Sequence, residues 1–318
     1  MSSTNQLSLP SASMPRSRTR ATVLGTEILV RGRFVRVASP DTDKYDCPAD
    51  PAALINALRQ SSIRADLFTF MQVMPDVLPK FHYAMEMDNL AVLPVSTFDN
   101  WWNHQIRSLP RNRARQAEKR GVTVREAAFN ENFAQGIWEI YNETEIRQGK
   151  PNVHFGKDRS RVYEEAATFL DQSIFIGAYL QGKLIGFAKL VTNAARTQAS
   201  FMNIVGMVEQ RDKAPTNALI AHAVKCCAER GIPYLVYQRF SYGKKHTDSL
   251  AHFKEINGFQ QVDLPRYFVP LSPLGRAALR LGMHHRLVDY LPESIAARLR
   301  SLRGAWYNRK SQSAKESL

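Results

Sequence analysis

Glu143 and Glu145 stand just before a loop, 149–157, that carries Lys150, Asn152, His154 and Lys157, with Arg147 immediately upstream. Carboxylates and an imidazole take and return protons near neutrality. The amide and the cations beside them are groups that bind sugar hydroxyls or phosphate. A spacing of two sends the glutamates to different sides of a helix, so at most one faces a pocket. Glu209 closes a β-rich run and opens the turn Gln210-Arg211-Asp212-Lys213-Ala214-Pro215-Thr216, where Arg211 and Lys213 could hold a phosphorylated ligand by charge. Further on, Tyr237-Gln238-Arg239-Phe240-Ser241-Tyr242 runs into Gly243-Lys244-Lys245-His246. Strand alternation puts Tyr237 and Arg239 on one face, and Tyr237 or Tyr242 could protonate a leaving group. Each of these residues also has a plainer reading. Glu209, Glu143 and Glu145 read equally as solvated carboxylates, Tyr237 as a core ring, His154 as a hydrogen-bonding loop residue and 243–246 as an exposed basic turn. His222, on an apolar helix, reads as structural.

Composition narrows the chemistry. The chain has 318 residues with 44% hydrophobic content, enough for two domains or one with large additions. There is no Ser-His-Asp signature, zinc-ligand spacing, P-loop or Rossmann fingerprint. That weighs against hydrolase, metalloenzyme, kinase and dehydrogenase readings. The cysteines, Cys47, Cys226 and Cys227, make no disulfide framework, which fits a reducing compartment. The net charge of +14 calls for anionic partners without choosing among nucleic acid, an acidic membrane surface, CoA phosphates and lipid-diphosphate sugars. No apolar run approaches the roughly 20 residues that span a bilayer. The Ser-, Pro- and Arg-rich start lacks a signal-peptide stretch and reads as the disordered tail of a cytoplasmic protein.

The elements that must position these groups follow from periodicity. Apolar runs at 174–180 and 184–191, split by Gln181-Gly182-Lys183, predict a hairpin. A third strand is expected over 200–209. Helical spacing over 218–230 stops at Gly231, with Pro215 near its first turn. A strand over 233–238, a helix over 247–257 ended by Gly258 and a strand over 259–271 complete the run. Upstream, strands are expected on either side of Gly32, over 66–72 and over 89–95. A helix opens at Asp50-Pro51 with Asp as N-cap and Pro in the first turn. A basic helix over 96–121 should kink or break at Pro110, with Trp101 and Trp102 as core anchors. Helices over 132–148 and 160–170 flank the polar loop. From Pro273 to Arg309, Leu and Arg alternate in two short amphipathic helices divided by Pro292, which can lie on an anionic bilayer or pack over the core.

The order strand, strand, strand, helix, strand, helix, strand resembles the second half of the GNAT acyltransferase fold. Phe253-Lys254-Glu255-Ile256-Asn257-Gly258-Phe259 is similar to its helix-ending turn. The run from Lys213-Ala214-Pro215-Thr216-Asn217, then Ala228-Glu229-Arg230-Gly231-Ile232-Pro233-Tyr234, resembles the FemAB-like branch. The linker before that branch's second domain has its counterpart in the stretch 113–124. The resemblance covers roughly 101–271. It implies an α+β fold with a mixed sheet and four regions: a basic tail over 1–22, a partial GNAT-like domain with its linker helix over 23–125, a full GNAT domain over 126–272 and a basic helical tail over 273–318. It also implies direct attack by an amino group of a sugar, cell-envelope or exopolysaccharide precursor on an acyl or aminoacyl donor. In that frame Glu209, Tyr237, Glu145, His154 and Tyr242 are candidates for acid–base work. Gln210, Arg211, Lys213, Ala214, Thr216 and Asn217 would meet the donor, and Arg147, Lys150, Asn152, Arg239 and Lys244 the acceptor. The turn departs from the usual CoA-binding pattern: it has no Gly, and Pro215 removes an N–H donor. Acyl-CoA and aminoacyl-tRNA both stay open as co-substrates, with a lipid-linked amino sugar, an anionic membrane surface and tRNA as partners. The competing reading is a non-catalytic membrane- or nucleic-acid-binding protein on a degenerate acyltransferase scaffold.

Overall fold

The computed structural model describes residues 19–147, 149–241 and 249–283. In chain order the elements are β1 Thr19–Val23, β2 Thr26–Arg31, β3 Val37–Pro40, α1 Pro51–Gln60, β4 Leu67–Met71 and β5 Ala84–Pro94. A helical turn α2, Phe98–Asn100, runs into a wider turn, Trp101–Gln105. Then come α3 Ser108–Lys119, β6 Val122–Glu126, α4 Glu131–Asn142, β7 Ile146–Arg147, β8 Lys150–Pro151 and α5 Arg159–Ala166. The last group is β9 Ser173–Leu180, β10 Lys183–Thr192, β11 Gln198–Gly206, α6 Pro215–Glu229, β12 Tyr234–Arg239, α7 Ser249–Ile256, β13 Gln260–Pro270 and α8 Pro273–Arg280. Among the described residues no helix is long and apolar enough to cross a membrane.

The chain divides into two compact units. Residues up to Asp41, Pro48–Phe70 and the segment from Tyr267 form the smaller one. Its strands run β1-β2-β3-β4. Leu24 and Gly25, both at positive φ, close the β1–β2 hairpin. β3 and β4 are parallel, so the chain must cross over between them, and α1 makes the crossing. Asp50 caps α1 by accepting the Ala53 N–H at 2.9 Å, with Pro51 in the first turn as the sequence predicts. Leu54, Ile55 and Leu58 form the buried stripe. β1 occupies Thr19–Val23, so the last residues of the stretch 1–22, expected to be a disordered tail, are strand; the rest of that stretch lies outside the described residues.

Thr42–Cys47 and Met71–Arg266 form the larger unit. Its strands run β13-β5-β12-β11-β10-β9-β6. Gln181 and Gly182, at φ 51° and 80°, turn β9 into β10. Helices cover both faces, because neighbouring residues of β10 point opposite ways. Phe187 meets Phe133 and Tyr141 of α4 edge-on. Gly186 faces α6, where a Cβ would come 3.3 Å from Leu219. The core holds Phe133, Ile137 and Ile140 of α4, Phe175, Phe187 and Leu190 of the sheet, and Leu219, Ala223 and Val224 of α6.

Two predicted boundaries move. The helix expected over 96–121 breaks at Ile106–Arg107 rather than at Pro110. Pro110 lies in the first turn of α3, where a missing N–H costs no bond. Arg107 donates its own N–H to Ile256 O at 2.8 Å. Trp101 is fully buried and donates its indole N–H to Asn257 O at 2.9 Å. Likewise α4 ends at Asn142, not at 148. The Asn152 amide donates to Tyr141 O at 2.7 Å and Thr144 O at 3.0 Å, occupying carbonyls a longer helix would use.

Candidate active site

β11 and β12 are parallel neighbours for only three positions, Gln198↔Tyr234, Ala199↔Leu235 and Ser200↔Val236. Beyond them β11 stays paired with β10 as far as Gly206↔Gly186. β12 instead follows β5, through a register shift between Val236 and Arg239. Gln238 sits in that shift at φ 46° and donates its amide N–H to Phe201 O at 3.3 Å. The sheet therefore splays between Phe201–Gly206 on one side and Tyr237–Arg239 on the other. Beyond Ser200 and Val236 the two strands no longer pair with each other, and the Gln238 side chain bridges to the Phe201 carbonyl at the point of parting.

The turn leaving β11 is clamped from behind. Glu143, with a side chain 6% exposed, accepts the backbone N–H groups of Val208 and Glu209 at 2.8 Å each. Arg147 lies 3.4 Å from the same carboxylate and donates to Gly206 O. Burial pushes the Arg147 guanidinium below its ordinary pKa, and Glu143 works against that shift. Each charge is thus compensated by fixed partners, the condition under which a buried pair holds. The turn ends on Ala214 in the left-handed region (φ 52°), and α6 starts with no side chain capping it. The first-turn N–H groups of a helix of this length present a partial positive charge. Gly206 lets the helix start come close: a Cβ there would lie 2.9 Å from Pro215 Cγ.

Across from β11, Tyr141 of α4 stacks on His154 with ring centroids 4.0 Å apart. Asn203, on the diverging half of β11, donates its amide N–H to the Tyr141 hydroxyl at 3.2 Å. Burial raises the Tyr141 pKa well above the ordinary phenol value, so the hydroxyl keeps its proton. Lys157 Nζ lies 3.2 Å from His154 Nδ1 and 2.5 Å from Glu165. An ammonium can only donate, so the His154 proton sits on Nε2. Burial, then Lys157, holds His154 down to about 4. It is a neutral imidazole whose basic nitrogen is already engaged.

The sequence-predicted residues separate into groups. β11 ends at Gly206, so Glu209 sits in the turn rather than on the strand, exposed and tied by its own N–H to Glu143. Glu145 lies beyond α4 and is exposed, as is Lys150 of β8. Asn152 spends its side chain on the loop, also accepting the His154 N–H at 3.1 Å. Tyr237, just past the point of divergence, is half-buried against Phe201 and Phe259 with Lys254 Nζ 4.8 Å from its ring centre. Arg239 is exposed and pairs with Asp88 at 3.1 Å. Lys213 and Arg120 both hold Asp212, at 2.6 Å and 3.2 Å. Arg211 is exposed, and Gln210, Thr216 and Asn217 are half-buried around the buried Ala214. Tyr242 and Lys244 lie outside the described residues. Sequence reasoning missed Tyr141, Asn203, Lys189 and the clamp formed by Glu143. Lys189 is buried on β10 and donates to the carbonyls of Ala166 (2.9 Å) and Thr168. Burial takes its ammonium down to about 8.

No family model matches the chain, and no curated protein matches it significantly. Solved structures do. The C-terminal domain of a protein named as a lysylphosphatidylglycerol synthetase, from Agrobacterium fabrum, superposes with a TM-score of 0.56 at 13% identity, over 83% of this chain and 86% of that one. L-PGS from Bacillus licheniformis gives 0.56 at 13% identity, over 82% and 87%. The mixed sheet, its splayed parallel pair and the crossover helix between them make this a GNAT-like acyltransferase fold. FemX superposes to the same extent, with a TM-score of 0.55 at 13% identity, over 82% of this chain and 90% of that one, so the fold is also similar to that of a FemAB-like protein.

Proposed function

We propose that the chain is an N-acyltransferase that passes an acyl or aminoacyl group, by direct attack, to an amino group of a sugar or cell-envelope precursor. The observation that carries this reading is the parting of β11 from β12 beside the uncapped start of α6. A splayed sheet offers unpaired strand backbone to the donor chain, and a positive helix end offers N–H groups to its phosphate. Ala214, Thr216 and Asn217 line that end, with Arg211 exposed beside it. The Tyr141 hydroxyl accepts from Asn203 and keeps its own proton to donate to the carbonyl oxygen as charge develops there. In this reading Tyr237, half-buried where β12 leaves β11, returns a proton to the leaving group. The incoming amine must lose a proton; Glu209 or water serves as acceptor, because His154 is engaged by Lys157.

The donor is acyl-CoA or aminoacyl-tRNA, and the lack of Gly in the turn before α6, with Pro215 removing an N–H, weighs against the CoA pyrophosphate. A lipid-linked acceptor would keep the protein at the inner membrane face, with the basic stretch after Pro273, most of it outside the described residues, as contact. The test is a donor panel of acetyl-CoA, longer acyl-CoAs and charged tRNA against amino-sugar acceptors, read by acceptor mass. A mass gain with one donor class, lost in Tyr141→Phe, supports the reading. Salt-sensitive binding of tRNA or anionic vesicles with no product from any donor supports the non-catalytic alternative.

A further inference from the structure

Far from the cleft, near the other end of α6, Glu126, His222 and Cys226 bring one carboxylate oxygen, one imidazole nitrogen and one sulfur within 4.8 Å of one another. His222 and Cys226 stand one turn apart on α6 and so share a face. Glu126 is the last residue of β6, the strand that ends the sheet beside β9. We infer that these three side chains form a zinc site that staples this edge strand to the crossover helix.

The donor set suits zinc. A thiolate, a neutral imidazole and a carboxylate select a borderline-soft ion over magnesium or calcium. The two anionic ligands balance the charge of the ion. Tetrahedral coordination places ligand atoms roughly 3.5 Å apart; the Cys226 sulfur and Glu126 Oε1 already lie 3.2 Å apart, and no pair of the three exceeds 4.8 Å. Glu126 is exposed and His222 half-buried, so both can move while buried Cys226 stays fixed.

The neighbours are already arranged for it. The Cys226 thiol donates to Glu126 Oε1 at 3.2 Å, so loss of that one proton leaves sulfur and oxygen facing each other with the ion between them. Zinc takes the proton's place, and the proton is released to solvent. Arg230 holds the other carboxylate oxygen at 2.7 Å, which orients Glu126 and leaves Oε1 for the metal. Glu126 and Arg230 also line a cavity of about 480 Å³ bounded by Phe129, Ser173 and Arg196, so solvent reaches the Glu126 side of the cluster. Cys226 lies about 16 Å along the helix axis from Pro215, so the site stiffens the scaffold and takes no part in transfer.

The test uses cobalt as a spectroscopic substitute, added to the full, tag-free chain. One equivalent of Co²⁺ should raise a thiolate-to-metal charge-transfer band. The band should vanish in Cys226→Ser, weaken at least about tenfold in affinity in His222→Gln and Glu126→Gln, and persist in Cys227→Ser and Cys47→Ser. Zinc should compete the band away and raise the wild-type melting temperature, but not that of Cys226→Ser. The exposed Glu126→Gln variant keeps the test open should Cys226→Ser fail to fold. No band with cobalt, or a band that survives in Glu126→Gln and His222→Gln unchanged, overturns the site. These readouts are independent of whether the cleft transfers an acyl group.

Discussion

Tyr141 is the residue on which the cleft chemistry turns. Its hydroxyl is fixed by Asn203 from β11 and its ring by His154. Tyr141→Phe removes one donor and leaves the Asn203 amide unclaimed. We expect turnover to fall by about 10²-fold, with a melting temperature lowered by only a few degrees, checked by steady-state rates and thermal melts on one preparation. A fall in stability that accounts for all the lost activity would make Tyr141 a packing residue. His154 gives a pH signature. Its folded pKa of about 4 lies below its ordinary 6.5, so the unfolded chain binds the proton first as pH falls. The residue therefore contributes stability that is present above about pH 6.5 and lost as pH drops through about 4. Denaturant melts should show the wild type losing more stability than His154→Phe between those two values, and parallel losses would contradict the assignment. Neither residue's part was legible in the sequence. Tyr141 reads there as one more apolar position of a helix, since nothing local says that β11 will bring Asn203 to its hydroxyl. His154 reads as a free base, since Lys157 is its partner only once the loop has closed.

At the scale of elements, the clamp between α4 and the turn after β11 decides where the donor wall stands. Glu143 was in view only as a candidate base beside Glu145. The end of α4 at Asn142 turns it instead into a ligand for two backbone N–H groups and Arg147. Glu143→Ala leaves the half-buried guanidinium without its counter-charge and the Val208 and Glu209 N–H groups without their acceptor. It should cost about 3 kcal/mol and weaken donor binding, measured by denaturant unfolding and calorimetric titration; an unchanged midpoint would show that the turn holds without it. Lys189 ties the end of α5 to β10 through the carbonyls of Ala166 and Thr168. Lys189→Met fits the space but abandons those carbonyls, and we expect a loss of about 2 kcal/mol, seen as a shifted urea midpoint. The hairpin of β9 and β10, the strand β11, the crossover α6 and the later β12, α7 and β13 were legible, because each carries its own period and its own glycine or proline stop. The helix break at Ile106–Arg107 was not: it depends on Ile256, a residue about 150 positions away along the chain.

For the molecule as a whole, the charge of +14 makes binding to tRNA or anionic vesicles expected on either reading of function. It will weaken steeply with salt whether or not the cleft is active. Charge was legible at once but decides little. The splay decides much, and no single segment announces it, because it arises from two strands that each choose another neighbour after Ser200 and Val236. The chain order and its resemblance gave the succession of elements, and the register gives the splay its physical cause. Similarly, His222 and Cys226 are visible as a one-turn pair, yet the third ligand comes from β6 and only the fold supplies it. The claim that the gap between β11 and β12 holds the activated donor is tested most directly by hydrogen–deuterium exchange, with and without the donor that stabilises the protein. Protection should concentrate in residues 201–217 and 237–239. Protection confined to the basic face of α3, or no change in those segments at saturating donor, would contradict it.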